Sequence, residues 1–175
     1  MEETAGILLQ GLARACEIPT ETFSGMIENG NSILRAVHYP PGSAEAQTGS
    51  MRAAPHEDIN LITLVCGETA AGLEILDRDR QWIPITTTPD EIVVDIGDML
   101  ARMTNNTLRA TTHRVVARGA EGETSRYALP FFAHPRPECD LSVLEAFLAE
   151  DEKPIFPPID AAHFLEERLR EIGLL

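Results

Sequence analysis

The chain has 175 residues, 43% of them hydrophobic, which suits one globular domain with a real core and argues against a disordered chain. Fourteen basic residues, of which only Lys153 is a lysine, stand against 28 acidic ones, for a formal net charge of −14. That balance argues against nucleic-acid and anionic-membrane partners, which need clustered Lys and Arg.

The first segment, Glu2 to Cys16, reads as a helix. Ile7, Leu8, Gly11, Leu12 and Ala15 recur at helical spacing, Thr4 is a candidate cap, and Ile18-Pro19 ends the run. A short helix follows between Thr20 and Asn29, with Phe23 and Met26-Ile27 inward and Asn29-Gly30-Asn31 as a turn. From Ser32 the period changes to that of strands. SILRAVHY ends at Pro40-Pro41-Gly42, and Ser43 to Pro55 reads as a polar loop. DINLITLVC, GLEIL, QWIPI, EIVVDIG, HRVV and SRYALPFF are short runs rich in Val, Ile, Leu and aromatics. Turn clusters at Asp77-Arg78-Asp79, at 88–91 and at 119–122 separate them. Such spacing predicts an all-β sandwich or barrel. DMLARMTNNTLRA reads as a helical turn and a loop. Two helices close the chain, Leu141–Ala149 and one that Asp160 caps and Gly173 stops.

No stretch approaches the roughly 18 apolar residues of a membrane span. The opening MEETAGILLQ has no basic n-region, which argues against a secretory signal. Cys16, Cys66 and Cys139 lie far apart, as fits inert thiols in a reducing compartment. The expectation is a cytoplasmic enzyme or binding domain.

Among the five histidines, His56 alone has an acid two positions on, in His56-Glu57-Asp58. On a strand, residues i and i+2 share a face, so an imidazole and a carboxylate can aim at one point. On that reading Asp58, Asn60, Ile62 and Leu64 face inward with His56, and Ile59, Leu61 and Val65 face out. His113 lies on a later strand. Two His and one carboxylate on a β framework can form the facial triad of non-haem Fe(II), which leaves positions open for co-substrate and O₂. An HxD alone is a weak signal. Arg126 begins a late apolar strand, where its planar fork suits a carboxylate.

These residues stand in a wider pattern. LRAVHYPP (34–41), PHEDINLITLV (55–65), AGLEIL (71–76), WIPI (82–85), VDIGDMLARMTNN (94–106), TTHRVV (111–116) and RYALPFF (126–132) follow in order. Together they resemble the isopenicillin N synthase-like family of Fe(II)- and 2-oxoglutarate-dependent oxygenases. The tail PIFPPIDAAHFLEERL is similar to that family's closing helix. The resemblance implies a mainly β fold, a distorted double-stranded β-helix or jelly roll with flanking N- and C-terminal helices. It implies one domain over 1–175, with a helix at 1–16, a β core at 32–135 and C-terminal helices at 140–175. His56, Asp58 and His113 match the iron ligands. Arg126 matches the arginine that pairs with the distal carboxylate of 2-oxoglutarate, and Tyr39 a tyrosine that helps to bind it. Asn105 matches a structural loop residue. The implied chemistry couples decarboxylation of 2-oxoglutarate, with O₂, to oxidation of a small-molecule substrate.

The chain departs from the family in three ways. Ala128 stands where a serine usually bonds the same carboxylate, a contact contributing about 1.5–3 kcal/mol. Val37 replaces an asparagine often found two residues before the tyrosine, and the loop at 118–124 is slightly longer than usual. The chain is also short: the family's large N-terminal segment is expected to be absent. A strand apolar on both faces needs cover on both, so a homo-oligomer or a missing segment is expected to cover the outer sheet face. Two alternatives stay open: an Fe(II) oxidase of the same fold that uses no 2-oxo acid, and a catalytically silent binding or assembly domain. His38, His134, His163 and Trp82 read as structural or surface residues, and Asp95 and Asp98 as turn and cap residues.

Overall fold

The computed structural model describes residues 1–41, 51–67, 69–88, 90–117 and 124–175. The turn expected at 119–122 lies outside the described residues, as do most of the polar run after Pro41 and of the loop at 118–124. At 88–91 the turn is closed by Glu91 N–H donating to Thr88 O at 3.1 Å.

Two helices open the chain, α1 (Glu2–Ala15) and α2 (Glu21–Ile27). Helix α1 begins at Glu2, so Thr4 lies inside it and does not cap it. Its buried face is Ala5, Leu9 and Ala13, set four residues apart, and the two alanines let the helix lie close to its neighbours. Ile7, expected on that face, is 62% exposed. Asn29, at φ 54°, turns the chain out of α2. Gly30 follows, and a Cβ there would meet His134 O at 2.4 Å.

The strands are β1 (Ile33–Leu34), β2 (Val37–Tyr39), β3 (Met51–His56), β4 (Ile62–Cys66), β5 (Leu73–Leu76), β6 (Trp82–Pro84), β7 (Val93–Ile96), β8 (His113–Val116) and β9 (Arg126–Ala133). They form two antiparallel sheets. The larger runs β1-β9-β4-β7, with β2 also on β9; the smaller runs β3-β8-β5-β6. From β3 onward the chain crosses repeatedly between the sheets, only the β5–β6 hairpin staying within one, the winding of a double-stranded β-helix. Strand β3 corrects the loop expected up to Pro55. MRAAPH has no apolar alternation, and its pairing with β8 holds it extended.

The inner and outer faces of β4 also differ from the count made from His56. Thr63 and Val65 face the space between the sheets. Ile62 and Leu64 are fully buried in the helix-covered core with Leu9, Phe23, Leu100 and Phe131. The cause is local. His56 ends a strand of the smaller sheet, residues 57–61 are not strand, and β4 starts in the larger sheet. Alternation does not carry across such a crossing, and a one-residue slip inverts every face. Helices α1, α2 and α3 (Asp98–Met103) share this core with the outer face of the larger sheet. Farther along that face Leu34, Val94, Tyr127 and Leu129 are each at least 40% exposed.

The helix expected over Leu141–Ala149 is only a single 3₁₀ turn, Glu145–Phe147. Leu141 N–H donates to Ile159 O and Leu144 N–H to Met103 O, and this tertiary pairing goes with a backbone that is extended at Leu144 and Leu148, at ψ 135° and 130°. Helix α4 (Ala161–Glu171) is capped as expected, Asp160 Oδ1 accepting from His163 N–H at 2.9 Å. Gly173, at φ 75°, follows it. Among the described residues no helix is long and apolar enough to cross a membrane.

Candidate metal centre and its cavity

His56 and His113 are register partners across the β3–β8 pair. Their ring centroids lie 4.3 Å apart, tilted by 54°. Asp58 sits two residues past β3, in the crossing between sheets. Its Oδ1 is 3.8 Å from His56 Nε2 and 4.0 Å from His113 Nε2. All three donors lie within 4.8 Å of one another. Ligands sharing an ion at about 2.1 Å are at most about 4.2 Å apart, so a metal needs only a small closure of this set. Two imidazoles and one carboxylate are the donor chemistry of a facial Fe(II) site.

Each donor is held by its second polar atom. His56 Nδ1 bonds Ala54 O at 2.7 Å, and His113 Nδ1 bonds Thr111 O at 2.9 Å. A carbonyl can only accept, so Nδ1 carries the proton and Nε2 keeps its lone pair for a metal. Asp58 Oδ2 accepts the Thr63 hydroxyl at 2.5 Å, and that hydroxyl accepts from Asn60 Nδ2 at 2.9 Å. The backbone is fixed as tightly. Asp98 N–H donates to Asp58 O at 2.8 Å and Gly97 N–H to Leu61 O at 2.9 Å. Residue 97 passes so close that a Cβ would lie 2.2 Å from Asn60 O, which only glycine avoids.

The same cavity reaches Arg126 and Tyr39, which face each other across the β2–β9 pair. Arg126 is 2% exposed. Its Nε donates to Ala70 O at 3.1 Å, and its guanidinium carbon lies 5.2 Å from the centre of the Tyr39 ring. Burial lowers its pKa, and Tyr39 opposes that shift. Val37 and Ala128 are also register partners, and both line the cavity. The two departures from the expected polar pattern therefore meet at one place on the wall, beside Arg126.

Asp95 corrects the reading of a turn residue. It lies on β7, opposite Thr63, and it lines the cavity with the triad. It is 3% exposed, and its Oδ2 has no hydrogen-bond partner among the described residues. Burial pushes its carboxyl up to about 6; His113 opposes, Asp58 adds, and His56 opposes. The alternation in VVDI put Asp95 on one face with Val93, but not on which side of the sheet.

The other candidates fall elsewhere. His38 stacks on Tyr127, centroids 4.6 Å apart, on the strand face away from the cavity. His134, expected in a surface turn, is buried, and burial lowers its pKa. Arg114 lies 4.0 Å from the Trp82 ring and pairs with Glu74 at 2.7 Å. Asn105 ties the tail down: its Oδ1 accepts from Ile155 N–H and its Nδ2 donates to Glu152, each at 3.1 Å. Burial raises the Cys16 and Cys139 thiols, which makes them poor nucleophiles.

Comparison with known proteins points the same way. A model of the 2OG-Fe(II) oxygenase superfamily matches residues 30–135. A proline hydroxylase from Petromyces alliaceus is 34% identical over 153 residues, 83% of this chain and 48% of the relative. The chain thus spans about half the length of the curated relatives it matches. A crystal structure of a 2OG-Fe(II) oxygenase family protein from Caulobacter crescentus superposes with a TM-score of 0.88 at 40% identity, covering 98% of this chain and 56% of that one. A full-length Neurospora crassa protein in complex with alpha-KG and 5-formyluracil gives 0.89 at 27% identity, covering 97% and 56%.

Proposed function

The chain belongs to the 2OG-Fe(II) oxygenase superfamily, and on that premise we propose that it is an Fe(II)- and 2-oxoglutarate-dependent dioxygenase that oxidises a small molecule. Three residues, His56, Asp58 and His113, are the proposed iron ligands. Arg126 and Tyr39 are the proposed anchor of the co-substrate's distal carboxylate. When bound, Fe(II) with 2-oxoglutarate and O₂ supplies the oxidising power: the co-substrate leaves as succinate and CO₂, and one oxygen atom goes to the substrate.

The protein's own part is positioning. The Nδ1 bonds to Ala54 and Thr111 fix both imidazoles in the metal-binding tautomer. Thr63 holds Asp58 so that Oδ1 faces the histidines. Arg126, buried at the cavity's other end, has a desolvated cation to offer a carboxylate, where the pair is strongest. Val65, Val115, Pro130 and Phe132 line the wall between and limit water near the metal. The observation that carries the reading is that one cavity holds the convergent donors at one end and a buried arginine at the other.

The apolar Val37–Ala128 pair favours a second reading, an Fe(II) oxidase that uses no 2-oxo acid. One experiment separates them. Fe(II) and then 2-oxoglutarate are added without oxygen, and the visible charge-transfer band of a chelated iron–keto acid is recorded. A band supports the 2-oxoglutarate enzyme. Iron binding with no band favours the second reading. Failure of the folded protein to bind Fe(II) favours a silent domain.

A further inference from the structure

We propose that Asp95 binds a protonated amine of the primary substrate, next to the metal centre. This inference rests on the proposed function above and deepens it. Asp95 lines the same cavity as His56, Asp58 and His113, yet it is not among the donors that converge on one point.

Its nearest polar neighbour across the sheet cannot serve it. Thr63 is its register partner on β4, but the single hydroxyl proton of Thr63 goes to Asp58. Asp95 Oδ2 is left buried with no partner among the described residues. A buried carboxylate oxygen without a donor is costly, and native proteins rarely keep one without use. Val65, Pro130 and Phe132, on the same wall, have no side-chain donors. Arg35 also lines the cavity, over the Phe132 ring at 5.4 Å, but it is exposed.

Charge chooses the kind of guest. With the site loaded, Fe(II) and Arg126 bring three positive charges. Asp58 and the two carboxylates of 2-oxoglutarate bring three negative ones, and the histidines are neutral. Leaving out Arg35, which lines the cavity but is exposed to water, the inventory balances without Asp95, so Asp95 has no buried counter-charge in the loaded cavity. A desolvated carboxylate beside apolar walls prefers a cation that also donates hydrogen bonds. A protonated aliphatic amine does both and carries its apolar part against Val65 and Phe132. The acidic chain, at a net −14, adds a field that draws cations.

The test uses matched probes on the Fe(II)- and 2-oxoglutarate-loaded protein, held without oxygen and followed by calorimetry. Pyrrolidine is compared with tetrahydrofuran, and butylamine with butanol, so that only the ammonium changes. Each amine is expected to bind about tenfold or more tighter than its oxygen isostere. In Asp95→Asn and Asp95→Ser that preference is expected to fall to about threefold or less. Equal binding of amine and isostere by the wild type overturns the proposal, whether or not the variants fold. So does a preference that survives both substitutions. The charge-transfer band is read on the same samples. A wild type with the band and no amine preference sinks the role of Asp95 alone, whereas no band at all sinks the 2-oxoglutarate reading and this inference with it.

Discussion

The Thr63 hydroxyl donates a hydrogen bond to Asp58 Oδ2 at 2.5 Å and accepts one from Asn60 Nδ2 at 2.9 Å. Thr63 is thereby the brace of the only carboxylate in the triad. Thr63→Val keeps the shape and removes both bonds. Metal affinity is expected to fall about 10–100-fold, the usual cost of losing an outer-shell partner. Calorimetric titration with Co(II) or anaerobic Fe(II) measures it. Unchanged affinity would mean that Asp58 is held by its backbone alone. The control is His113→Ala, which removes a proposed ligand and is expected to abolish tight binding.

Arg126 shares its end of the cavity with Ala128, one inward residue farther along β9. Ala128→Ser places a hydroxyl beside the guanidinium without filling new backbone space. The new charge-assisted bond is expected to tighten 2-oxoglutarate about tenfold or more. Arg126→Leu is expected to weaken it by about 2–5 kcal/mol. Titration of the charge-transfer band reads both. No change on Ala128→Ser would place the distal carboxylate elsewhere.

Much of this was legible in the residues, and what was not has identifiable causes. Strands β4, β5, β7, β8 and β9 announce themselves because runs of Val, Ile and Leu bounded by turns have few other uses. Strand β3 does not. Met51-Arg52-Ala53-Ala54-Pro55 has no apolar alternation, and only its long-range pairing with β8 makes it a strand. The triad was legible from residue types, spacing and resemblance, but by a route that the structure revises. His56 and Asp58 converge because a crossing between sheets bends the chain, not because they share one strand face. The same crossing inverted the faces assigned to Ile62, Thr63, Leu64 and Val65. Asp95 was missed because alternation defines two faces and does not say which one meets a cavity. The Leu141–Ala149 segment has helical spacing, yet its amides bond to Ile159 and Met103. Local pattern cannot report such distant competition.

Gly97 packs against Asn60 with no room for a side chain. A Cβ there would stand 2.2 Å from Asn60 O and 2.4 Å from Asn60 Oδ1. The backbone oxygen cannot rotate away, so the segment carrying Asp58 and Asn60 must shift. Gly97→Ala is expected to cost about 1–3 kcal/mol as an overpacking change. In a chain of this size that lowers Tm by about 2–4 °C per kcal/mol. Metal affinity is expected to drop as well, because Asp98 N–H holds Asp58 O from the next residue. Thermal melts with and without Co(II) test both effects. A variant that melts like wild type and binds metal normally would show that the crossing tolerates displacement.

Asp95 gives the metal-free protein a pH dependence whose sign is fixed. Burial is the main cause that lifts its carboxyl from the ordinary 3.8 to about 6. As pH rises, the unfolded chain releases this proton first, and the folded protein holds it until about 6. Across that window the folded state binds more protons, so stability falls with rising pH. The contribution is fully present below the unfolded value and lost once the folded group ionises. Its size is about 2–3 kcal/mol, from about 1.4 kcal/mol per unit. Asp95→Asn removes the titration and keeps the shape. Urea unfolding with a chelator present, from about pH 4 to 7.5, is expected to show the variant gaining on wild type up to about pH 6 and levelling off above it. A difference curve that stays flat would mean that Asp95 ionises alike in the folded and unfolded chains, with its carboxylate already compensated inside the cavity.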